Sequence, residues 1–126
     1  EVSHRMLPPN INNIGAYPIF GAYNASYTQH LLNQVYHLRE RGVRVIFFPP
    51  ITSKKMVALN HKQIVKIKRS LAVAGCAYAV SPDSLAYPDS LLYNTTYHLN
   101  AQGVAVNSQR LAGYLKLLLH SPFRKK

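Results

Sequence analysis

Acidic residues are scarce in this 126-residue chain, in which Glu1, Glu40, Asp83 and Asp89 stand against 15 lysines and arginines and the formal net charge is +11. Such a charge favours anionic partners, whether nucleic acid, acidic glycan or phospholipid headgroups, without choosing among them. Cysteine is limited to Cys76, which excludes an internal disulfide and a thiolate metal site. Because Cys76 lies in an apolar run, we expect it to be a small buried hydrophobic residue.

Long apolar runs are also missing. The chain has no uninterrupted stretch of about 18 apolar residues, so we expect no membrane-spanning segment in it. Its opening residues lack both an initiator methionine and the pattern of a signal peptide, and we therefore expect the chain to be an excised or processed piece. With 126 residues and 48% hydrophobic content it can bury one core and hardly two, which predicts one domain or part of one.

Apolar residues that recur every three or four positions predict three amphipathic helices. The first covers about Ala25 to Arg41 and is closed by Gly42, with an apolar face formed by Tyr27, Leu31, Val35 and Leu38. The second covers roughly Ser53 to Ala74, with Ser53 as N-cap and Gly75 beyond its end, and uses Val57, Ile64 and Leu71. The third starts near Ala101, is capped by Asn100, and turns inward Val104, Leu111, Leu115 and Leu118.

Two short β-branched or aromatic runs, Val43 to Phe48 and Cys76 to Val80, predict largely buried strands. Strands that alternate with helices indicate an α/β fold with a parallel sheet. Two strands are too few for an independent sheet, since sheets usually have about four to six strands and bare edges invite association. Residues 1–24 add only an irregular segment rich in Pro, Asn and Gly. We therefore expect further strands from residues upstream of Glu1 or from a neighbouring chain.

The loop before the last helix carries the most informative motif. Residues 88–103 read Pro-Asp-Ser-Leu-Leu-Tyr-Asn-Thr-Thr-Tyr-His-Leu-Asn-Ala-Gln-Gly. This block, in which a His is followed by Leu-Asn, two residues, a Gly and a long helix, resembles the terminal block of SGNH-type (GDSL-like) hydrolases. The resemblance implies a flavodoxin-like α/β/α sandwich with a parallel sheet, of which residues 25–126 would be the C-terminal and incomplete part.

The resemblance also implies roles for individual residues. His98 would be the general base that accepts the proton of a serine hydroxyl and returns it to the leaving group. Asn94 stands where the family carries an acidic partner, and a neutral amide can orient an imidazole but cannot stabilise its positive charge as a carboxylate does. Asp89, nine positions upstream of His98, is the alternative acidic partner. Asn100, as helix cap, would fix the direction of the loop.

The chain departs from the family pattern at the nucleophile. The Gly-Asp-Ser segment that follows an early strand in the family has no counterpart, and residues 12–15 offer only a faint match to the blocks that complete an oxyanion hole. Two alternatives follow: the serine lies in a part of the parent protein outside this chain, or the domain is inactive.

These observations predict the C-terminal portion of an SGNH-like serine esterase or O-acyltransferase that acts on carbohydrate-linked or other acyl esters. Its expected partners are such an ester or glycan and the missing N-terminal part or a second copy. We expect no cofactor and no metal, and the resemblance alone favours a bacterial cell envelope or periplasm.

The alternative is a catalytically inactive module of the same fold that binds an anionic polymer or assembles with other proteins. Its main support is a stripe of basic residues at helical spacing in the second predicted helix, reinforced by other cations: Lys55, Lys62, Lys66 and Arg69, with Lys54, Lys68 and the tail Arg124, Lys125 and Lys126. No recognised nucleic-acid motif accompanies this stripe, so nucleic acid is the less favoured polymer.

Overall fold

The computed structural model of the protein describes residues 14–19, 21 and 23–121. It is an α/β structure, mostly helical, with a short parallel sheet of two strands. The elements follow in the order α1 (Ala25–Glu40), β1 (Thr52–Ser53), α2 (Lys54–Leu59), α3 (His61–Ala74), β2 (Ala86–Tyr87) and α4 (Ala101–His120), with 3₁₀ turns at Pro82–Leu85 and Asp89–Leu91. Among the described residues, no helix is long and apolar enough to cross a membrane.

The strand pairing is parallel, as predicted, but it lies further along the chain than the apolar runs suggest. Residues 52 and 53 of β1 pair with residues 86 and 87 of β2. The predicted strands Val43 to Phe48 and Cys76 to Val80 are reduced to one parallel bridge between Phe47 and Tyr78. Val43 is exposed, so the start of the first run lacks the cover on both faces that a buried parallel strand requires.

Helix α1 confirms the first predicted helix, and of its predicted buried face it confirms Val35 alone. Its buried side chains are Thr28, Leu32 and Val35, whereas Tyr27 is 79% exposed and Leu31 is also exposed. The spacing of apolar residues is compatible with either of two adjacent faces of the helix. The face that contains Thr28 is the one that packs against the rest of the protein. The prediction for Tyr27, Leu31 and Leu38 was therefore wrong, since Leu38 is exposed as well.

The second predicted helix is divided into α2 and α3 at Asn60. Its predicted ends are confirmed: the Ser53 hydroxyl accepts a hydrogen bond from the Met56 amide at 3.0 Å, and Gly75 ends α3 with a φ of 95°. A φ in that range is left-handed and favours glycine, which explains the position of Gly75. The break at Asn60 leaves no simple trace in the apolar pattern.

Asn60 joins the helix break to the segment that precedes α1. Its side-chain nitrogen donates to the Tyr17 carbonyl at 3.0 Å and to the Met56 carbonyl at 3.0 Å, while its side-chain oxygen accepts from the Ile19 amide at 2.7 Å. The buried amide thus pairs with residues 17 and 19 much as a neighbouring strand would. These hydrogen bonds hold the segment that contains residues 17 and 19 against the junction of α2 and α3.

The main hydrophobic core lies beneath the loop that leads into α4. Its buried members are Ile14, Leu85, Tyr87, Leu92 and Leu99. Helix α4 packs on this core through half-buried residues that include Val104, Val106, Leu111 and Tyr114. Leu115, predicted to point inward, is exposed, and Cys76 is buried as predicted. The core therefore supports the loop that carries the His98 motif.

Candidate active site around His98

The backbone around His98 forms a closed loop. Leu92 and Leu99 make an antiparallel bridge, and the Tyr93 amide donates a 2.7 Å hydrogen bond to the His98 carbonyl. Because Leu92 and Leu99 are buried in the core, both ends of the loop are anchored. His98 itself is exposed at the surface, on a backbone whose position is fixed from below.

Asn100 caps α4 and also holds the preceding turn, as its place in the motif predicted. Its side-chain oxygen accepts from the Gly103 amide at 2.8 Å. Its side-chain nitrogen donates to the Ser90 carbonyl at 2.8 Å and to the Leu92 carbonyl at 3.4 Å. Asn100 is buried, so these bonds are sheltered from water. One side chain therefore sets the angle between the His98 loop and α4.

Gly103 completes the motif by its small size. A Cβ at this position would overlap the Leu91 carbonyl oxygen and would lie 3.1 Å from the Leu99 Cβ. Backbone atoms cannot give way as a flexible side chain can. The Leu-Asn-x-x-Gly pattern therefore has a structural function of its own, because it lets the first turn of α4 pack directly on the loop.

The side chains of His98 and Asn94 are in contact. His98 Nδ1 lies 3.1 Å from Asn94 Oδ1. An amide oxygen can only accept a hydrogen bond, so this contact is a hydrogen bond when Nδ1 carries the hydrogen, and the lone pair of the neutral ring is then on Nε2. In that tautomer, Nε2 is the ring nitrogen that can accept a proton.

A pocket of about 550 Å³ opens beside this pair. It is lined by Ile51, Tyr93, Asn94, Tyr97, His98, Leu99, Val104 and Asn107. These lining residues include aromatic and amide side chains but no carboxylate, lysine or arginine, and no serine or cysteine. Within the described residues, the pocket therefore offers an imidazole and neutral polar groups without a serine or cysteine side chain.

Asp89, the alternative acidic partner, points to α2. Its carboxylate oxygen Oδ2 forms an ion pair with Lys55 Nζ at 2.5 Å. The structure thus brings Asn94 to His98 and places Asp89 opposite a lysine of the predicted basic stripe. The stripe's Lys62, Lys66 and Arg69 are exposed on α3.

Tyr97 is a pocket residue that the sequence did not single out. Burial raises the pKa of Tyr97 above its ordinary value, the neighbouring Tyr17 raises the pKa further, and Thr52 lowers it in part. Tyr97 also lines a second, mostly apolar pocket of about 160 Å³ next to Thr52 and Met56. The Tyr97 ring therefore forms part of the wall of both pockets.

Asn107 was also missed. It is only 8% exposed, and its Oδ1 accepts a 2.9 Å hydrogen bond from the hydroxyl of the fully buried Tyr87. The Arg110 guanidinium lies 4.9 Å from the centroid of the Tyr87 ring. Burial raises the pKa of Tyr87, and Arg110 lowers it in part. The signal that could have found Asn107 is a polar residue at helical spacing from Gly103 and Val104 on an otherwise apolar stripe.

Other predicted positions lie outside the described residues or away from the pocket. Asn12 and Asn13, like Arg124 to Lys126, fall outside the described ranges, whereas Ile14 is buried in the core. Within those ranges, no group of three or more His, Cys, Asp or Glu side chains could hold a metal ion. Comparisons with protein-family models, curated proteins and solved structures found no match to this chain.

Proposed function

We propose that the chain is the C-terminal portion of an SGNH-like serine esterase or O-acyltransferase acting on carbohydrate-linked or other acyl esters. In this proposal the short parallel sheet is one edge of a flavodoxin-like sandwich. The remaining strands and the serine come from another part of a longer protein or from a second copy. The observation that carries the proposal is the hydrogen bond between His98 and Asn94 at the pocket.

That hydrogen bond suits general-base chemistry. With Nδ1 bound to Asn94, the Nε2 lone pair can accept a serine proton and later return it to the leaving alcohol. Asn94 orients the ring but does not compensate the charge of the imidazolium, as a carboxylate would. Asn94→Asp is therefore expected to raise kcat.

The neutral lining of the pocket supports a neutral substrate. In a chain with a net charge of +11, an anionic ligand would be expected to meet lysines or arginines, yet none lines this pocket. The rings of Tyr93 and Tyr97 offer apolar faces, and the amides of Asn94 and Asn107 offer hydrogen bonds. A few polar groups among apolar and aromatic walls are typical of small-molecule sites. An acylated sugar fits this chemistry.

The test is hydrolysis of p-nitrophenyl acetate by the full-length protein and its His98→Ala variant. Loss of a general base is expected to lower kcat by about 10²-fold or more. His61→Ala, which removes an exposed histidine at the start of α3, is the matched control and should leave kcat unchanged. Equal activity of wild type and His98→Ala would refute His98 as the base.

A second function, the inactive module that binds an anionic polymer, is favoured by one observation. Helix α3 exposes Lys62, Lys66, Lys68 and Arg69, and its sequence contains no acidic residue. If this face binds a polyanion, the affinity for heparin should fall steeply as the salt concentration rises. In the double variant Lys62→Gln and Lys66→Gln, the number of counterions released, given by the slope of log affinity against log salt concentration, should be lower by up to about two. Weak binding without salt dependence would exclude this function.

A further inference from the structure

A second polar group of the His98 pocket comes from α4. Asn107 lies one helical turn after Gly103 and lines the pocket together with His98. We propose that the side-chain nitrogen of Asn107 donates a hydrogen bond to the carbonyl oxygen of the ester and to the oxyanion formed from it. This inference rests on the proposed function, and it assigns Asn107 a role that the family resemblance does not.

The orientation of the Asn107 amide follows from its partner. The Tyr87 hydroxyl donates to Oδ1 at 2.9 Å, which ties the amide oxygen to the core side of the helix. The amide is planar, so Nδ2 is then turned away from Tyr87. Tyr87 is fully buried and its ring is contacted by Arg110, so it holds Asn107 in place and acts as a positioning residue.

The Asn107 nitrogen is available for a ligand. Nδ2 makes no hydrogen bond with any of the described residues, although the side chain as a whole is 8% exposed. In the described part of the chain, the one fully buried side-chain nitrogen or oxygen atom without a hydrogen-bond partner is Thr52 Oγ1. Asn107 Nδ2 also has no partner, so it is not fully buried. Asn107 Nδ2 is therefore not sealed within the protein, and Asn107 is one of the residues that line the pocket.

A fixed donor in this place fits the reaction. His98 Nε2 takes the serine proton while the serine oxygen forms a bond to the carbonyl carbon, and the π electrons of the carbonyl move to its oxygen. Asn107 Nδ2 then donates to that oxyanion. When the carbonyl forms again, the ester C–O bond breaks and the alcohol leaves with the proton from His98. A donor oriented before the reaction needs no rearrangement as charge develops.

The test separates the loss of the donor from the loss of packing. Asn107→Asp keeps an oxygen acceptor for Tyr87 and replaces only the nitrogen, whereas Gln109→Glu adds the same charge at an exposed position of α4. With p-nitrophenyl acetate and the full-length protein, kcat of Asn107→Asp should fall about 10²-fold with little change in KM, as for loss of an oxyanion donor. Gln109→Glu should match wild type.

Tyr87→Phe tests the positioning role without altering the pocket wall. The amide of Asn107 then loses one hydrogen bond, and kcat should fall about 2- to 10-fold. In NMR spectra, the Asn107 side-chain amide should shift when N-acetylglucosamine, a neutral sugar with one carbonyl, is added to wild type. The shift should be smaller in Tyr87→Phe.

The outcomes distinguish this inference from the proposed function. If His98→Ala abolishes hydrolysis while Asn107→Asp and Asn107→Ala retain it, the role of Asn107 is wrong and the proposed function stands. If none of the three variants changes hydrolysis, both are wrong. An Asn107 amide signal that does not respond to N-acetylglucosamine would overturn the inference even if Asn107→Asp unfolds the protein.

Discussion

At the scale of single residues, Gly103 shows how tightly the His98 loop and α4 are packed. Gly103→Ala should destabilise the protein by about 1–3 kcal/mol, the usual cost of overpacking, because the added Cβ meets the Leu91 carbonyl. Gly113→Ala is the matched control on the same helix, where a Cβ has no neighbour within 4 Å. It should stabilise by about 0.5–1 kcal/mol. Urea denaturation measures both, and equal effects would contradict the proposed packing.

The residues of the candidate site were predictable from the sequence only where they are neighbours in it. His98, Asn94 and Asn100 belong to one short motif, and the loop that joins them is stabilised by local hydrogen bonds. Tyr97 lies in the same motif next to His98, but the motif assigns it no role, and its interaction with Tyr17 joins residues far apart in the chain. Asn107 reaches the pocket because α4 packs over the loop, which spacing alone does not reveal.

At the scale of elements, two asparagine caps allow a direct comparison. Asn24 and Asn100 both accept a hydrogen bond from the third residue after them, but Asn100 also donates to the Ser90 and Leu92 carbonyls. An Asp at either position still has an oxygen that accepts the capping hydrogen bond, but it has no side-chain N–H to donate. Asn100→Asp should therefore cost about 1–3 kcal/mol of unfolding free energy, whereas Asn24→Asp should be neutral or stabilise by up to about 1 kcal/mol through the helix dipole.

Thermal and urea unfolding of these two variants measure the difference. If both substitutions have the same effect, the bonds from Asn100 to the preceding turn contribute nothing to stability. A loss confined to Asn100→Asp would show that this cap joins two elements rather than one.

Helix ends were more predictable than helix faces. Caps are local, so Ser53, Gly75 and Asn100 were identified from residue type and position. The buried face of α1 depends instead on what packs against it, and the sequence favoured Tyr27 and Leu31 over the stripe that is buried. The break at Asn60 was missed because the side chain there bonds to residues 17 and 19, more than 40 positions earlier, and the apolar pattern does not show those contacts.

At the scale of the whole molecule, three tyrosines whose pKa is raised make stability sensitive to alkaline pH. Burial raises the pKa of Tyr78, Tyr87 and Tyr97 above the ordinary value of 10.0. Below about pH 10 these tyrosines are protonated in the folded and the unfolded chain, and their contribution to the free energy of unfolding is complete. As pH rises from there through the folded pKa values, the unfolded chain loses these protons first, so stability should fall.

Tyr78→Phe should reduce that fall, as measured by the urea midpoint at a series of alkaline pH values. Tyr27→Phe is the control, because Tyr27 is 79% exposed. Deprotonation of lysines affects both variants alike. The same pH dependence in both variants would contradict a role for Tyr78, which is half-buried.

The α/β character and the parallel pairing were predictable because alternating helices and apolar runs indicate them, whereas the extent of the sheet was not. Phe47 and Tyr78 pair within the two predicted strands, but pairing continues at Thr52 and Ser53, beyond the predicted end of the first strand at Phe48. Where a strand ends depends on which neighbours cover it, and the sequence of one strand does not contain that information.

The side chain of Asn60 also bears on the order in which the molecule folds. Its bonds to Tyr17 and Ile19 need a partner surface that exists only once α2 and α3 have formed and met at their junction. The extended segment should therefore attach after the folding barrier is crossed. In kinetic terms, Asn60→Ala is expected to speed unfolding and to leave the folding rate nearly unchanged.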